Sequence, residues 1–384
     1  MGIFSNTGVS ITVQDTLPKG RGYLYPLTDE IAGWTHTSGA IGGYLTATCQ
    51  FVEELDFIDE WLENGLGRWV TLYDEGTNIR WRGFVDQIDA NIGPLRITRG
   101  PMSDITNRCH SVYSTVDNTT NPPTMGVRDT TAQTNDTASQ AIYGIWQKVL
   151  STGGSTAADA IQNQVMFLQE NASPTTTKTL SLGTGNLSMT LHLKGVWYWL
   201  GAFIANFVTG GTVNLSARLI AILALDPNAV ISTNTSHITT NTYQVDGTVN
   251  DDKTALKYVN ALLTYGDATL NRYTAGFYED EIMYYAPAPM TVANTFSLSD
   301  PAQEVAYLSG TVQRPWEVQT AQWIEITDLM IGRVADTNIR QDPRNIFVES
   351  LAYTAPYGLI LNGGKISTLS QRLAQKGLGG IGTS

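Results

Sequence analysis

The chain predicts a mainly β fold with α insertions, an α+β class in which a small barrel-like β unit comes first, helices follow, and a second β unit closes the chain. Three observations carry this. Residues 69–73 and 79–88 are rich in β-branched and aromatic residues and flank Asp74-Glu75-Gly76, which reads as a hairpin with a glycine at its turn. Apolar residues recur at helical spacing over 215–225 and again over 251–263. From Val305 onward the β pattern returns, at 307–312, 323–326 and 346–354.

Taken in order, 10–14 reads as the first strand, followed by a loop carrying Pro18, Gly20 and Gly22. A strand begins at Gly42-Gly43-Tyr44-Leu45-Thr46-Ala47-Thr48, where the glycines relax a turn and do not precede a helix as a phosphate loop requires. Between 53 and 63 Leu55, Ile58 and Leu62 share one helical face and turn the carboxylates of Glu53, Asp56 and Glu60 outward, so a short amphipathic helix lies across the β unit. Strand-like runs at 95–98 and 108–113 extend that unit. Residues 118–135 are rich in Thr, Asn and Pro without apolar periodicity and mark a long surface loop or boundary. A helix is expected from the caps Asp136 and Thr137, with Ala138, Ile142, Ile145, Trp146 and Val149 on one stripe and Gly153-Gly154 ending it.

A second Thr-rich linker covers 173–178, then strands at 180–182 and 187–193 lead to the aromatic run Val196-Trp197-Tyr198-Trp199-Leu200. The helix at 215–225 carries Leu215, Leu219, Ile222 and Leu223 and is closed by Asp226-Pro227. The next carries Leu256, Val259 and Leu263, has Gly266 at a C′ position, and feeds a hairpin of 272–277 with 281–285. The chain closes with a short helix holding Ile366, Leu369 and Leu373 and a glycine-rich tail, 377–384. No fixed-period repeat is present, which argues against a solenoid or propeller.

Composition bounds the function. Across 384 residues, a hydrophobic content of 42% with 15% charged residues describes large cores, and Lys+Arg 23 against Asp+Glu 35 gives a net charge of −12. So few cations cannot replace the counterions of a nucleic acid, and stable DNA binding is not expected. No secretory signal is read at the start, and the most apolar run, 195–208, is too short to span a bilayer and is broken by Asn206, so no stable membrane insertion is expected. Cys49 and Cys109 form no CxxC; they could meet in space, but the reading is a reduced pair of buried small residues.

Reaction chemistry is not visible. The histidines His36, His110, His192 and His237 are dispersed, and Cys109 and His110 are adjacent on a strand and point to opposite faces. The acids of 53–63 lack the ordering of a calcium loop, and no nucleophile elbow, zinc-protease or phosphate-loop motif occurs. Asp86 and Asp89 read as edge or surface groups. No catalytic residue, metal or cofactor is therefore expected. Trp197, Tyr198 and Trp199 are consecutive and form no flat sugar platform, while Trp61, Trp69 and Trp81 fit a β core.

Three stretches together resemble the hub proteins of bacteriophage tails, the siphophage-type baseplate or tail-tip hubs related to the hub half of type VI secretion spikes. The first is Gly42-Gly43-Tyr44-Leu45-Thr46-Ala47 with Gly65-Leu66-Gly67-Arg68 and Trp81-Arg82-Gly83-Phe84-Val85, similar to that family's first tube barrel. The second is Lys253-Thr254-Ala255-Leu256-Lys257-Tyr258-Val259 leading through a glycine to a hairpin, as in its middle domain. The third is 346–353 followed by Tyr357-Gly358-Leu359-Ile360-Leu361-Asn362-Gly363-Gly364-Lys365, similar to the last strands of its second tube barrel. Residues 117–176 depart from the pattern.

The resemblance implies a division into a first tube-type β-barrel (1–116), a loop and helical insertion (117–176), a discontinuous second tube-type barrel (177–200 and 290–365), a middle helix-plus-hairpin domain (201–289) and a C-terminal helix and tail (366–384). It implies a homotrimer in the virion, made in the host cytoplasm. Its partners would be the tail tube or a distal tail protein, a central spike or fibre, the tape-measure protein, and DNA only in transit through the lumen. Acidic residues lining that lumen would let DNA slide by like-charge repulsion. Candidate assembly contacts are Glu53, Asp56 and Glu60 on the first helix and Ile366, Leu369 and Leu373 at the chain end. The alternative is a tail-tip module that reads host cell-surface glycan through Trp197 or Trp199.

Overall fold

The computed structural model describes residues 3, 9–14, 24–27, 30–300, 305–309, 318–327 and 345–363, apart from 76, 118, 120, 123, 154–155, 182–184, 250, 268–270, 280, 290–291 and 356–357. The chain runs β1 (Ser10–Gln14), β2 (Leu24–Pro26), β3 (Ile31–Gly39), β4 (Ile41–Phe51), α1 (Leu55–Asn64), β5 (Trp69–Tyr73), β6 (Ile79–Ile92) and β7 (Leu95–Arg99). It continues with β8 (Arg108–Asp117), β9 (Thr124–Thr130), β10 (Thr134–Asn135), α2 (Thr137–Tyr143), β11 (Gln147–Gly153), α3 (Ala157–Asn171), β12 (Thr176–Leu180), β13 (Leu187–Gly195) and α4 (Val196–Trp199). Then come β14 (Phe207–Asn214), α5 (Leu215–Leu223), β15 (Gln244–Val249), α6 (Ala255–Leu263), β16 (Tyr273–Phe277) and β17 (Met283–Pro287). Last are β18 (Val292–Asp300), β19 (Val305–Ser309), β20 (Trp323–Thr327), β21 (Asn345–Thr354) and β22 (Gly358–Gly363).

The molecule is mainly β with some helices. Its largest sheet follows the path β19-β18-β20-β21-β3-β4-β13-β6-β5-β1-β2, with β16–β17 branching from β4, β22 from β21, and β7 then β12 from β6. Among the described residues the two ends of this path do not meet, so the sheet is not a closed barrel. The reason is strand length. β4 and β6 outrun their partners, so one edge of β4 serves β13 and then β16, and one edge of β6 serves β5 and then β7. Such a sheet branches instead of closing. β13, expected with the second β unit, is hydrogen-bonded between β4 and β6 of the first, and β21 pairs with β3.

One apolar core runs beneath this sheet and under α1, α4, α5 and α6. Ile58 and Trp61 of α1 are buried; burying a side chain such as Ile58 stabilises the fold by about 1.5–3 kcal/mol. Arg68 locks the helix in place: its guanidinium stacks 5.0 Å from the Trp61 ring and donates to Glu60 in a two-pronged ion pair. The hairpin of β5 with β6 and that of β16 with β17 form as the sequence predicts.

The segment 117–176 differs from expectation. Residues 118–135 hold β9 and β10, which pair with β8 in a separate sheet. The expected long helix ends at Tyr143, because Gly144 takes φ 73° and its carbonyl accepts from the buried Asn107 side chain. Residues 147–153, carrying Val149, then form β11, which lies parallel to β8. Asp136 does cap α2, accepting from the backbone N–H of Ser139 at 2.9 Å. Apolar periodicity predicts no helix at Ala157–Asn171, yet α3 forms there with a capping box between Thr156 and Asp159. Its buried stripe is Ala160, Gln164 and Leu168, so a polar residue occupies the centre of the face that periodicity would search for. Gln164 is tolerated inside because its amide donates to Cys109 O and Ala132 O and accepts from Thr131.

Candidate assembly surface

The register places alternate residues of six neighbouring strands, β12, β7, β6, β13, β4 and β3, on opposite faces of one continuous surface. On the covered face Ile88 and Ala90 of β6, Met189 and Leu191 of β13, and Cys49 and Phe51 of β4 are buried, with α1 packed over β6 and β13. On the other face the same strands present hydroxyls and amides. Thr35, Thr48, His192 and Gln87 form one cross-strand row, and Gln50, Thr190, Asp89, Thr98 and Thr177 form the next. Thr35 and Thr48 share a hydroxyl hydrogen bond of 2.6 Å, and Thr37 and Thr46 one of 2.7 Å. Sequence reasoning missed this face. The signal is present as alternating Thr in 35–37 and 46–48, but only pairing shows that the alternations align.

The few charges on that face are neutralised locally. Asp89 accepts from Thr98 at 2.6 Å, lies 3.2 Å from His192 Nε2, and pairs with Arg96 at 3.2 Å. Burial acts to raise the Asp89 carboxyl, but the hydrogen bonds from Thr98 and His192 and the His192 charge outweigh it and hold the group below the usual carboxylate range. Asp86, read as an edge or surface group, is buried instead. It pairs with Lys194 at 2.8 Å and accepts from the backbone N–H of Ser103, at the bulge where the β6–β13 register skips it.

The predicted contact residues divide. Asp56 and Glu60 are on the exposed face of α1 and Glu53 lies just before it, half-buried. Glu60 is committed to Arg68. Among the described residues no cation pairs with Glu53, Glu54, Asp56, Asp59 or Glu63. Ile366, Leu369 and Leu373 lie outside the described residues, as does the expected helix that holds them.

The remaining sequence candidates sit apart from one another. Among the described residues no group of three or more His, Cys, Asp and Glu converges on a point. Both cysteines are free, and burial pushes both thiols up, Cys109 to about 11, away from the reactive thiolate. Trp197 and Trp199 are 5% and 0% exposed, so neither offers a ring to a sugar. Trp199 packs edge-on against Phe84 and Trp146 with centroids 5.3 and 5.1 Å away. Its replacement by alanine is expected to lower the unfolding free energy by about 3–5 kcal/mol, measured by denaturant unfolding; a loss below about 1 kcal/mol would contradict this packing. Gly42 and Gly43 do more than relax a turn. They let β16 lie parallel to β4, with Gly43 paired to Phe277. No described helix is long and apolar enough to cross a membrane.

No family profile and no curated protein matches the chain. Among solved structures it is similar to the 43 kDa tail protein of prophage MuSo2 from Shewanella oneidensis, with a TM-score of 0.41 and 8% identity over 90% of this chain and 93% of that one. It is also similar to the tail protein from Neisseria meningitidis MC58, again with a TM-score of 0.41 and 8% identity, over 90% of this chain and 91% of that one.

Proposed function

We propose that this protein is a structural component of a phage tail, the hub that joins the tail tube to a central spike or fibre around a lumen. The observation that supports it best is the six-stranded surface with a hydroxyl- and amide-lined face on one side and α1 on the other. Such a face suits passage of a polymer without adhesion, since it has neither a basic track for phosphates nor an apolar patch for protein. It also changes the lumen reading. The acids of 53–63 lie with α1 on the far side of the sheet, so the proposed lining is neutral and hydroxyl-rich, and the acids belong to the outer, contact-making side. The trimer, the tape-measure protein and DNA in transit, and the place in the virion are parts of the same proposal. It needs no catalytic residue and no cofactor. The glycan-reading alternative loses its motive, because Trp197 and Trp199 are inside.

Imaging of the purified full chain tests this. A closed ring with a mass near three times 41.8 kDa, with Thr48 and Thr190 facing its hole, is the expected result. A protein that stays a single protomer at every concentration, or a ring with that face outward, would sink the hub reading.

A further inference from the structure

α1 is shorter than the sheet it covers. Its ten residues span about 15 Å, and beyond its flank β7 and β12 continue on the same covered face. The register sets Leu180 opposite Leu95, Leu95 opposite Ile92, and Ile92 opposite Leu187, a row of four apolar side chains across four strands. Leu180 is 70% and Leu187 37% exposed. One step along the strands, Ile97 lies on the floor of a groove of about 570 Å³ whose near wall is Asp59, Leu62 and Glu63 of α1. Asp59 and Glu63 stand one helical turn apart on that wall, with Asp56 a turn before them on α1. Lys178 stands on the far side, while Arg99 is already engaged with the last carbonyls of α1, those of Leu62 and Glu63.

The groove therefore carries the acids Asp59 and Glu63 on its α1 wall, Lys178 opposite them, and Arg99, Tyr143 and Pro174 toward one end; the apolar row lies one step beyond Ile97 at the other. The chain carries a segment of the complementary pattern. Residues 364–384 contain no Asp or Glu and three cations, Lys365, Arg372 and Lys376. At helical spacing Ile366, Leu369 and Leu373 form one stripe, the three cations line one flank of it, and Ser367, Ser370 and Ala374 line the other. From 366 to 376 such a helix is about 16 Å long, matching α1. The segment's own groove is out of its reach. Gly363 pairs with Val348 at the Gly39–Gly43 end of β3 and β4, whereas the groove lies level with Phe51 at the opposite end. At about 3.3 Å per residue these levels are about 26 Å apart, and only Gly364 and Lys365 separate β22 from Ile366.

We infer that the groove between α1 and β7–β12 receives the basic amphipathic C-terminal segment, residues 365–376, of a second copy of this chain. The apolar stripe seats on Ile97, Leu95 and Leu180, the cations meet Asp56, Asp59 and Glu63, and the serine flank faces Lys178. Each copy then offers one groove and one segment, a head-to-tail contact that closes a ring or extends a filament according to the rotation between copies. The inference does not rest on the tail-hub reading, because it concerns self-association alone.

Sedimentation velocity of the full-length protein tests it with reversed charges. Wild type is expected to self-associate with concentration. The groove variant Asp59→Lys/Glu63→Lys and the tail variant Arg372→Glu/Lys376→Glu should each associate at least tenfold more weakly while keeping the wild-type circular dichroism. Their equimolar mixture should recover association, since each groove then meets an opposite tail; so should a single chain carrying all four changes. Three results would overturn the inference: wild type that stays monomeric, as an occupant from another protein or from the same chain would leave it; either variant associating like wild type; or a mixture that does not recover. An assembly restored by charge exchange that forms no closed trimer would overturn the hub reading and leave this one standing.

Discussion

Gly43→Ala is expected to detach the β16–β17 hairpin from the main sheet and to cost about 3–5 kcal/mol of unfolding free energy. Gly43 has φ +70°, and a Cβ there would sit 2.2 Å from the carbonyl oxygen and 2.6 Å from the nitrogen of Phe277. Those are backbone atoms of a paired strand and cannot swing aside. The approach is mutual, because a Cβ on Gly276 would lie 2.3 Å from Gly43 N. Overpacking and a left-handed backbone therefore add at one site. Gly93→Ala is the control. It shares a positive φ of +60° but has nothing within 4 Å, so about 1 kcal/mol is expected. Denaturant unfolding of both variants, with hydrogen exchange read at 273–277, checks the pair. Equal losses would mean that the close approach of β16 to β4 contributes nothing.

The second large effect is a loss of stability in mild acid, and it comes from His36. This imidazole is 3% exposed at the junction of β3 and β21, with its ring 5.0 Å from Tyr353 and its Nδ1 accepting from Trp34 Nε1 at 3.0 Å. Tyr44, Tyr278 and Arg80 line the same small cavity, Arg80 is held by Asp74 at 2.6 Å, and among the described residues lining it no carboxylate offsets a proton on the ring. Burial lowers the His36 pKa to about 3. In the unfolded chain it titrates near about 6.5. As pH falls below that value the unfolded state takes the proton first, so the stability that neutral His36 provides is whole above about 6.5 and drains by up to about 1.4 kcal/mol per pH unit down to about 3.

Two carboxylates add a separate loss at lower pH. Burial acts to raise Asp74, but hydrogen bonds from Asn78 and Arg80 prevail and hold it below its usual range, as Asp89 is held. Their contributions are present above the unfolded value near about 3.9 and fade as pH falls through the folded one. The interval from pH 6.5 to 4.5 consequently isolates the histidine. His36→Gln, which keeps an acceptor for Trp34, should flatten the stability slope there by close to one proton. Parallel slopes for variant and wild type would refute the assignment.

Much of this fold is legible in short stretches of sequence. The hairpin of β5 and β6, the acidic helix α1, the helices α5 and α6, and the cap at Asp136 follow from side-chain period, turn residues and capping oxygens, all of which act within a few residues. The inward packing of Trp61, Trp69 and Trp81 follows in the same way, from the period of their own strands and helix. These local terms determined what each element is and which side of it is apolar.

Which element lies beside which was decided by tertiary structure. Val149 sits on a run that reads equally well as a helical stripe, and its conversion to β11 depends on Asn107, about forty residues earlier, capturing Gly144 and Trp146. α3 escapes notice because Gln164 is buried by partners from β8 and the 131–132 turn. β13 enters between β4 and β6 from about a hundred residues away, and only that insertion aligns separate threonine alternations into one polar face. The groove beside α1 has the same origin, since Leu95, Leu180 and Leu187 are unremarkable in their own strands. Chain period specifies the faces of elements, whereas the surfaces that meet partners are made by register between distant strands, which no local pattern encodes.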